Sequence, residues 1–194
     1  MSYFFRKLLC ALCLVGGGFL ASAALAEGIQ IKRAELERVE KEWFLNAAFQ
    51  IELSPSLEEA VKRGVTLHFL TEFDLTRGRW YWFDEKPAQV ERPIRLTYQP
   101  LTRLYRISSE GFAFSSNELS EALQAVGSIG GWRIIEASEL DPGKTYLASI
   151  RMILDLSKLP KPFQVNALNS KEWNLASPWL RFSFNPNSSS VLGK

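Results

Sequence analysis

Trp43-Phe44-Leu45-Asn46-Ala47-Ala48-Phe49-Gln50-Ile51-Glu52-Leu53 decides the fold class. Its odd positions are all apolar, while the even ones include Asn46, Gln50 and Glu52. Strict alternation sends successive side chains to opposite faces of an extended chain, so this stretch reads as a strand with one buried face. The pattern recurs in Val65, Leu67, Phe69, Phe73 and Leu75, opposed by Thr66, His68, Glu72, Asp74 and Thr76. It recurs again after the Asp141-Pro142-Gly143 turn, where Tyr146, Ala148, Ile150, Met152, Leu154 and Leu156 share a face opposite Thr145, Ser149, Arg151 and Asp155. Several half-buried strands need a common buried layer, and Gly and Pro punctuation favours short connections over parallel crossovers. The expected fold is mainly β: a single antiparallel β-sandwich-like domain with two short helices. A small closed barrel is the alternative, since period-two patterning serves both.

Shorter segments fill in the rest. Ile29 and Ile31 suggest an opening strand that turns back near Glu40, although Leu36, Val39 and Trp43 also fit a helix face. The alternation after Phe73 breaks at Arg77-Gly78, a turn or bulge that re-aims the segment from Arg79 to Phe83. Strands are expected over Val90–Tyr98 and Leu101–Ile107, with Pro93 marking the first as an edge candidate, then over Trp132–Glu136 and Trp179–Phe184. Ser54 caps one helix, with Pro55 at its first position, Leu57, Ala60 and Val61 on one face, and Gly64 past its end. Asn117 caps the other, whose stripe is Leu119, Ala122, Leu123 and Val126 before Gly127. Residues 159–179, with Pro160, Pro162, Trp173, Pro178 and Trp179, read as an ordered, packed connection.

The amino terminus assigns a compartment. Arg6 and Lys7 precede an apolar run from Leu8 to about Leu20, and Ala24-Leu25-Ala26 supplies the small-x-small pattern of a cleavage site. Residues 1–26 read as a signal peptide, 27–184 as one globular domain and 185–194 as a disordered polar tail, which places the protein in the periplasm. An uncleaved anchor fits less well, because Gly16, Gly17 and Gly18 interrupt the apolar run. Removing the leader lowers the charge balance from 23 basic and 21 acidic residues to 21 of each. A neutral domain argues against nucleic acid or an anionic membrane as a whole-domain partner and leaves a local basic patch open. Cys10 and Cys13 leave with the leader, neither is placed for lipid attachment, and the remaining 168 residues must rely on a packed core without disulfides.

Catalytic signatures are lacking. His68 is the sole histidine, which excludes paired-histidine metal sites, and the mature domain offers no thiolate. No nucleophile elbow, Ser-x-x-Lys, dinucleotide fingerprint or phosphate loop occurs. No cofactor or metal is expected, and no catalytic residue is assigned. Carboxylate chemistry stays open, because pairing of acids in space is not written in one sequence. The unusual segment is 77–106, where seven basic residues outnumber three acids among Trp80, Tyr81, Trp82, Phe83, Tyr98 and Tyr105. Guanidinium groups stack on rings and fork onto carboxylates or phosphates, so Arg77, Arg79, Trp80, Trp82, Arg95 and Arg103 form a candidate binding surface. The competing reading is structural: cross-strand stacking of these side chains and ion pairing with the acidic stretch 27–59, which carries eight acids against four bases.

The strings Glu72-Phe73-Asp74-Leu75-Thr76-Arg77-Gly78-Arg79-Trp80-Tyr81-Trp82-Phe83-Asp84, Leu101-Thr102-Arg103-Leu104-Tyr105-Arg106, and Leu159-Pro160-Lys161-Pro162-Phe163-Gln164-Val165-Asn166-Ala167-Leu168 with Trp173-Asn174-Leu175-Ala176-Ser177 resemble the proteobacterial family of unknown function numbered 4390. The chain departs from that pattern at Gly78, where proline is common. The resemblance implies an exported single domain without an assigned activity, often encoded beside a membrane sensor kinase and its response regulator. It supplies no functional residues. The expected role is therefore a non-catalytic interaction or ligand-binding module with an envelope protein or membrane sensor as partner; an envelope hydrolase using carboxylates or an isolated serine is the alternative.

Overall fold

Each strongly alternating stretch forms a strand. The computed structural model describes residues 28–78, 85–188 and 190–193. In it β1 (Gly28–Val39) turns at Glu40, which takes a left-handed φ of 54°, into β2 (Glu42–Glu52). The β1–β2 register shifts between Ile31 and Arg33, and burial passes from Ile29 to Ala34 and Leu36. An extra residue in one strand flips every later side chain to the other face. Leu36, Val39 and Trp43 do not form a helix face: Leu36 is buried on β1, Val39 is exposed at its end, and Trp43 is buried on β2 across the turn.

Helix α1 (Pro55–Lys62) starts where Ser54 accepts the Leu57 N–H at 3.3 Å, and it buries Leu57, Ala60 and Val61. There follow β3 (Leu67–Arg77), β4 (Glu85–Gln99), β5 (Leu104–Ser109), β6 (Phe112–Ser116), α2 (Leu119–Gly127), β7 (Ser128–Glu136), β8 (Tyr146–Leu154), α3 (Lys161–Asn169), β9 (Leu180–Phe184) and β10 (Ser190–Gly193). All pairings are antiparallel, in a four-stranded sheet ordered β10-β1-β2-β7 and a six-stranded sheet ordered β6-β5-β4-β3-β8-β9. The inner faces of both sheets contribute to one apolar core, in which Trp43 of β2 meets Phe184 of β9 edge to face at 4.7 Å. Neither sheet closes on itself, so the architecture is β-sandwich-like and not a barrel.

Several local expectations are corrected. Asn117 is not the cap of α2: Glu118 occupies that position, and the hydroxyl of buried Ser116 accepts the Glu118 N–H at 3.0 Å while donating to Glu121 at 2.6 Å. Gly127 ends α2 from inside, pressed against the backbone of Phe49. Pro93 does not make β4 an edge along its whole length. β5 pairs with β4 only from Arg95 to Gln99, so Pro93 lies in the half that is free on that side, where a missing donor is tolerated. The strand expected from Leu101 begins at Leu104, and Leu101 is fully exposed in the preceding turn.

A third helix, α3, and a following 3-10 turn (Lys171–Trp173) occupy the packed connection, with the Phe163 and Trp173 rings 5.6 Å apart. Beyond the turn, Leu154 N–H donates to Leu175 and Ser177 N–H to Met152, tying the connection to β8. Within the stretch 185–194, expected as a disordered tail, Ser190–Gly193 instead pairs with Ala34–Glu37 of β1. The proposed leader lies outside the described residues.

Candidate functional site

The outward faces of β3 to β6 build the site. Because these strands alternate, Leu67, Phe69, Ile94, Leu96, Tyr105 and Ile107 point into the core and their neighbours point away from it. Register then sets the neighbours on the outer face. His68 lies opposite Arg95, Arg95 opposite Ser108, Thr97 opposite Arg106, and Arg106 opposite Ser115. Together with Thr66, Gln99, Ala113 and Phe114 they line a trough of about 520 Å³. The Thr66 and Thr97 hydroxyls share a hydrogen bond at 2.9 Å across its floor.

Among the described residues, no carboxylate lines this trough. Among the described residues, neither the Arg95 nor the Arg106 guanidinium lies within ion-pair distance of an acid, and both side chains are exposed. The His68 imidazole also has no hydrogen-bond partner among them. Burial, followed by the Arg95 charge, pushes its pKa below the ordinary 6.5; Lys158 acts in the same direction and Asp155 opposes it. Asp155 is itself engaged with Ser157, accepting its N–H at 3.0 Å. The result is a basic, hydroxyl-rich face with a neutral imidazole at its edge.

The structure does not bring all the sequence-selected residues together. Arg77 is at the far end of the β3–β4 hairpin from Arg95, nine positions along β3 from His68. At the usual rise per residue that is roughly 30 Å. The Arg77 guanidinium is ion-paired with Glu85, lies 3.9 Å from Asp141 and sits 5.7 Å from the Tyr146 ring centroid, so it braces the hairpin end. Arg103 is exposed in the β4–β5 turn with a left-handed φ of 56°, its N–H bonded to Gln99, and does not line the trough. Arg79, Trp80 and Trp82 lie outside the described residues. Of the described members of that group, Arg95 alone lines the trough.

Arg106, which sequence reasoning left out of the candidate set, is the trough's second cation. The signal for it is the hairpin itself: with Tyr105 and Ile107 facing inward, Arg106 must share a face with Arg95. Among the described residues no arginine of 77–106 is ion-paired with the acidic stretch 27–59, whereas cross-strand stacking does occur, with Tyr98 opposite Tyr105 and their rings 4.7 Å apart. The acids of 27–59 engage Arg33, Lys62, Arg63 and Arg133. Arg92 is different again, facing inward opposite Thr71.

Among the described residues no three metal-ligating side chains converge. His68→Gln is expected to change unfolding free energy by no more than about 0.5 kcal/mol at neutral pH, the range usual for partly exposed positions. Because the folded state lowers the His68 pKa, the unfolded chain binds more protons in the window just below 6.5. Wild-type stability therefore falls as pH drops through that window, and the variant should lack this component. Urea unfolding of both proteins at pH 7.5 and 5.5 checks it; identical pH slopes would contradict the lowered value.

Fold and site together define a two-layer antiparallel β domain that presents an open basic face on its larger sheet. The chain belongs to the family described as Domain of unknown function (DUF4390), whose model matches residues 26–183. No curated protein and no solved structure matches it.

Proposed function

We propose that the protein is a non-catalytic interaction or ligand-binding module of the periplasm and that its contact surface is the outer face of β3 to β6. The observation that carries this reading is a trough flanked by two guanidinium groups that have no acidic partner among the described residues. Charges left exposed on a polar sheet face are free to meet a ligand without first breaking an ion pair. The leader pattern around Arg6, Lys7 and Ala24-Leu25-Ala26 supports export, and the family resemblance points to an accessory role in an envelope sensor-kinase system.

A photo-crosslinking residue at Ser108, in the trough, is compared in intact cells with one at Gln50, exposed on β2, and one at Trp82. A discrete adduct from Ser108 alone is the expected result. An adduct from Trp82 alone would move the contact to the segment between Arg77 and Glu85 in sequence and overturn the placement. Turnover of cell-wall fragments by the purified protein would overturn the non-catalytic reading and favour the hydrolase alternative.

A further inference from the structure

The spacing of donors within the trough narrows what it takes, provided the reading above has placed the contact surface correctly. Arg95 pairs with Ser108 and Thr97 with Arg106, which makes the two arginines diagonal neighbours across β4 and β5. Diagonal positions of an antiparallel pair lie roughly 7–8 Å apart at Cα, close enough for two flexible guanidinium groups to grip one anion. His68 is directly opposite Arg95 on the other side, so three nitrogen-bearing groups stand in a row across three adjacent strands. The hydroxyls of Thr97 and Ser108 lie among them. None of the described residues that line the trough carries a negative charge to neutralise the two cations, and like charges this close repel until an anion arrives.

We infer that the trough is an oxyanion site, in which a small ligand carrying phosphate or carboxylate groups bridges Arg95 and Arg106, with His68, Thr97 and Ser108 completing its hydrogen bonds. A small ligand fits better than a protein surface. The volume of about 520 Å³ lies within the range of small-molecule sites. The described lining is mostly short and polar, with Phe114 its single large aromatic ring, whereas protein hot spots gather several aromatic anchors.

His68 is the only imidazole in the chain and therefore a built-in probe. The protein is purified without a histidine tag and the His68 ring signals are followed by NMR during titration with inorganic phosphate, pyrophosphate or citrate, against chloride at equal ionic strength. An oxyanion beside the ring opposes the Arg95 and Lys158 charges and adds to that of Asp155, so its titration midpoint should rise. The expected result is a saturable shift with at least one oxyanion and none with chloride. The R95Q/R106Q protein, checked to unfold at the same urea concentration, should bind about tenfold more weakly or worse. Cosedimentation with anionic phospholipid vesicles that depends on the same arginines would place the oxyanion on a lipid headgroup; binding of soluble anions without cosedimentation would place it in solution. No saturable shift with any oxyanion, or equal shifts in wild type and R95Q/R106Q, overturns the inference. If Ser108 still yields its adduct in that case, the binding-module reading stands and only the ligand class fails.

Discussion

Trp43→Ala is expected to lower the unfolding free energy by about 3–5 kcal/mol, the cost typical of deleting a large buried aromatic side chain. Trp43 is fully buried between the two sheets and joins them directly, its ring edge to face with Phe184 at 89°. Alanine would leave a cavity whose walls belong to two different sheets, so collapse from one side cannot fill it without moving the other. The contrast with Trp43→Phe sharpens the test. The indole Nε1 is buried without a hydrogen-bond partner among the described residues, so phenylalanine loses contact area but also removes an unsatisfied donor. Urea unfolding of the three proteins should rank wild type and Trp43→Phe close together and Trp43→Ala far below. Equal losses in both variants would show that the ring is not held as described.

Gly127→Ala should be the second large effect, about 3 kcal/mol of destabilisation. In an exposed helix the same change usually stabilises by about 1 kcal/mol, because alanine is the better helix former. Here a Cβ on Gly127 would stand 2.2 Å from the Phe49 carbonyl oxygen and 3.1 Å from its carbonyl carbon. Both are main-chain atoms of β2, so relief requires α2 or the strand to shift as a body, and the cost belongs at the upper end of overpacking. Gly130 provides the control, since nothing lies within 4 Å of its hypothetical Cβ, and Gly130→Ala should stay within about 0.5 kcal/mol. A neutral Gly127→Ala would mean that α2 does not approach β2 this closely.

Buried alternation was legible and local geometry was not. Trp43 to Leu53, Val65 to Leu75 and Tyr146 to Leu154 each keep one apolar phase, and each forms a strand or runs into one. The β1 bulge between Ile31 and Arg33 was hidden, because one inserted residue breaks the two-residue period. β6 was hidden because Phe112 and Phe114 remain exposed and the strand carries no buried period of its own beyond Ser116. The site follows the same rule. Arg95 stood out by composition, but its partner Arg106 depends on hairpin register, and the separation of Arg77 from Arg95 depends on hairpin length. Composition groups residues that are near in sequence; an extended hairpin sends them to opposite ends.

The strand order also bears on how quickly the molecule can form. β3 has one neighbour, β4, that follows it directly, but its other neighbour is β8, and the Glu72–Arg151 pair between them spans 79 residues. In the smaller sheet, the Glu42–Arg133 pair between β2 and β7 spans 91. Long loops must close before either contact is rewarded, and topologies of this kind fold on a millisecond-to-second scale rather than in microseconds. Until β7 and β8 have been synthesised, the apolar sides of β2 and β3 have no complete cover. A nascent chain is thus an adhesive intermediate for most of its length, and fragments truncated before residue 128 should aggregate instead of accumulating as a stable half-domain.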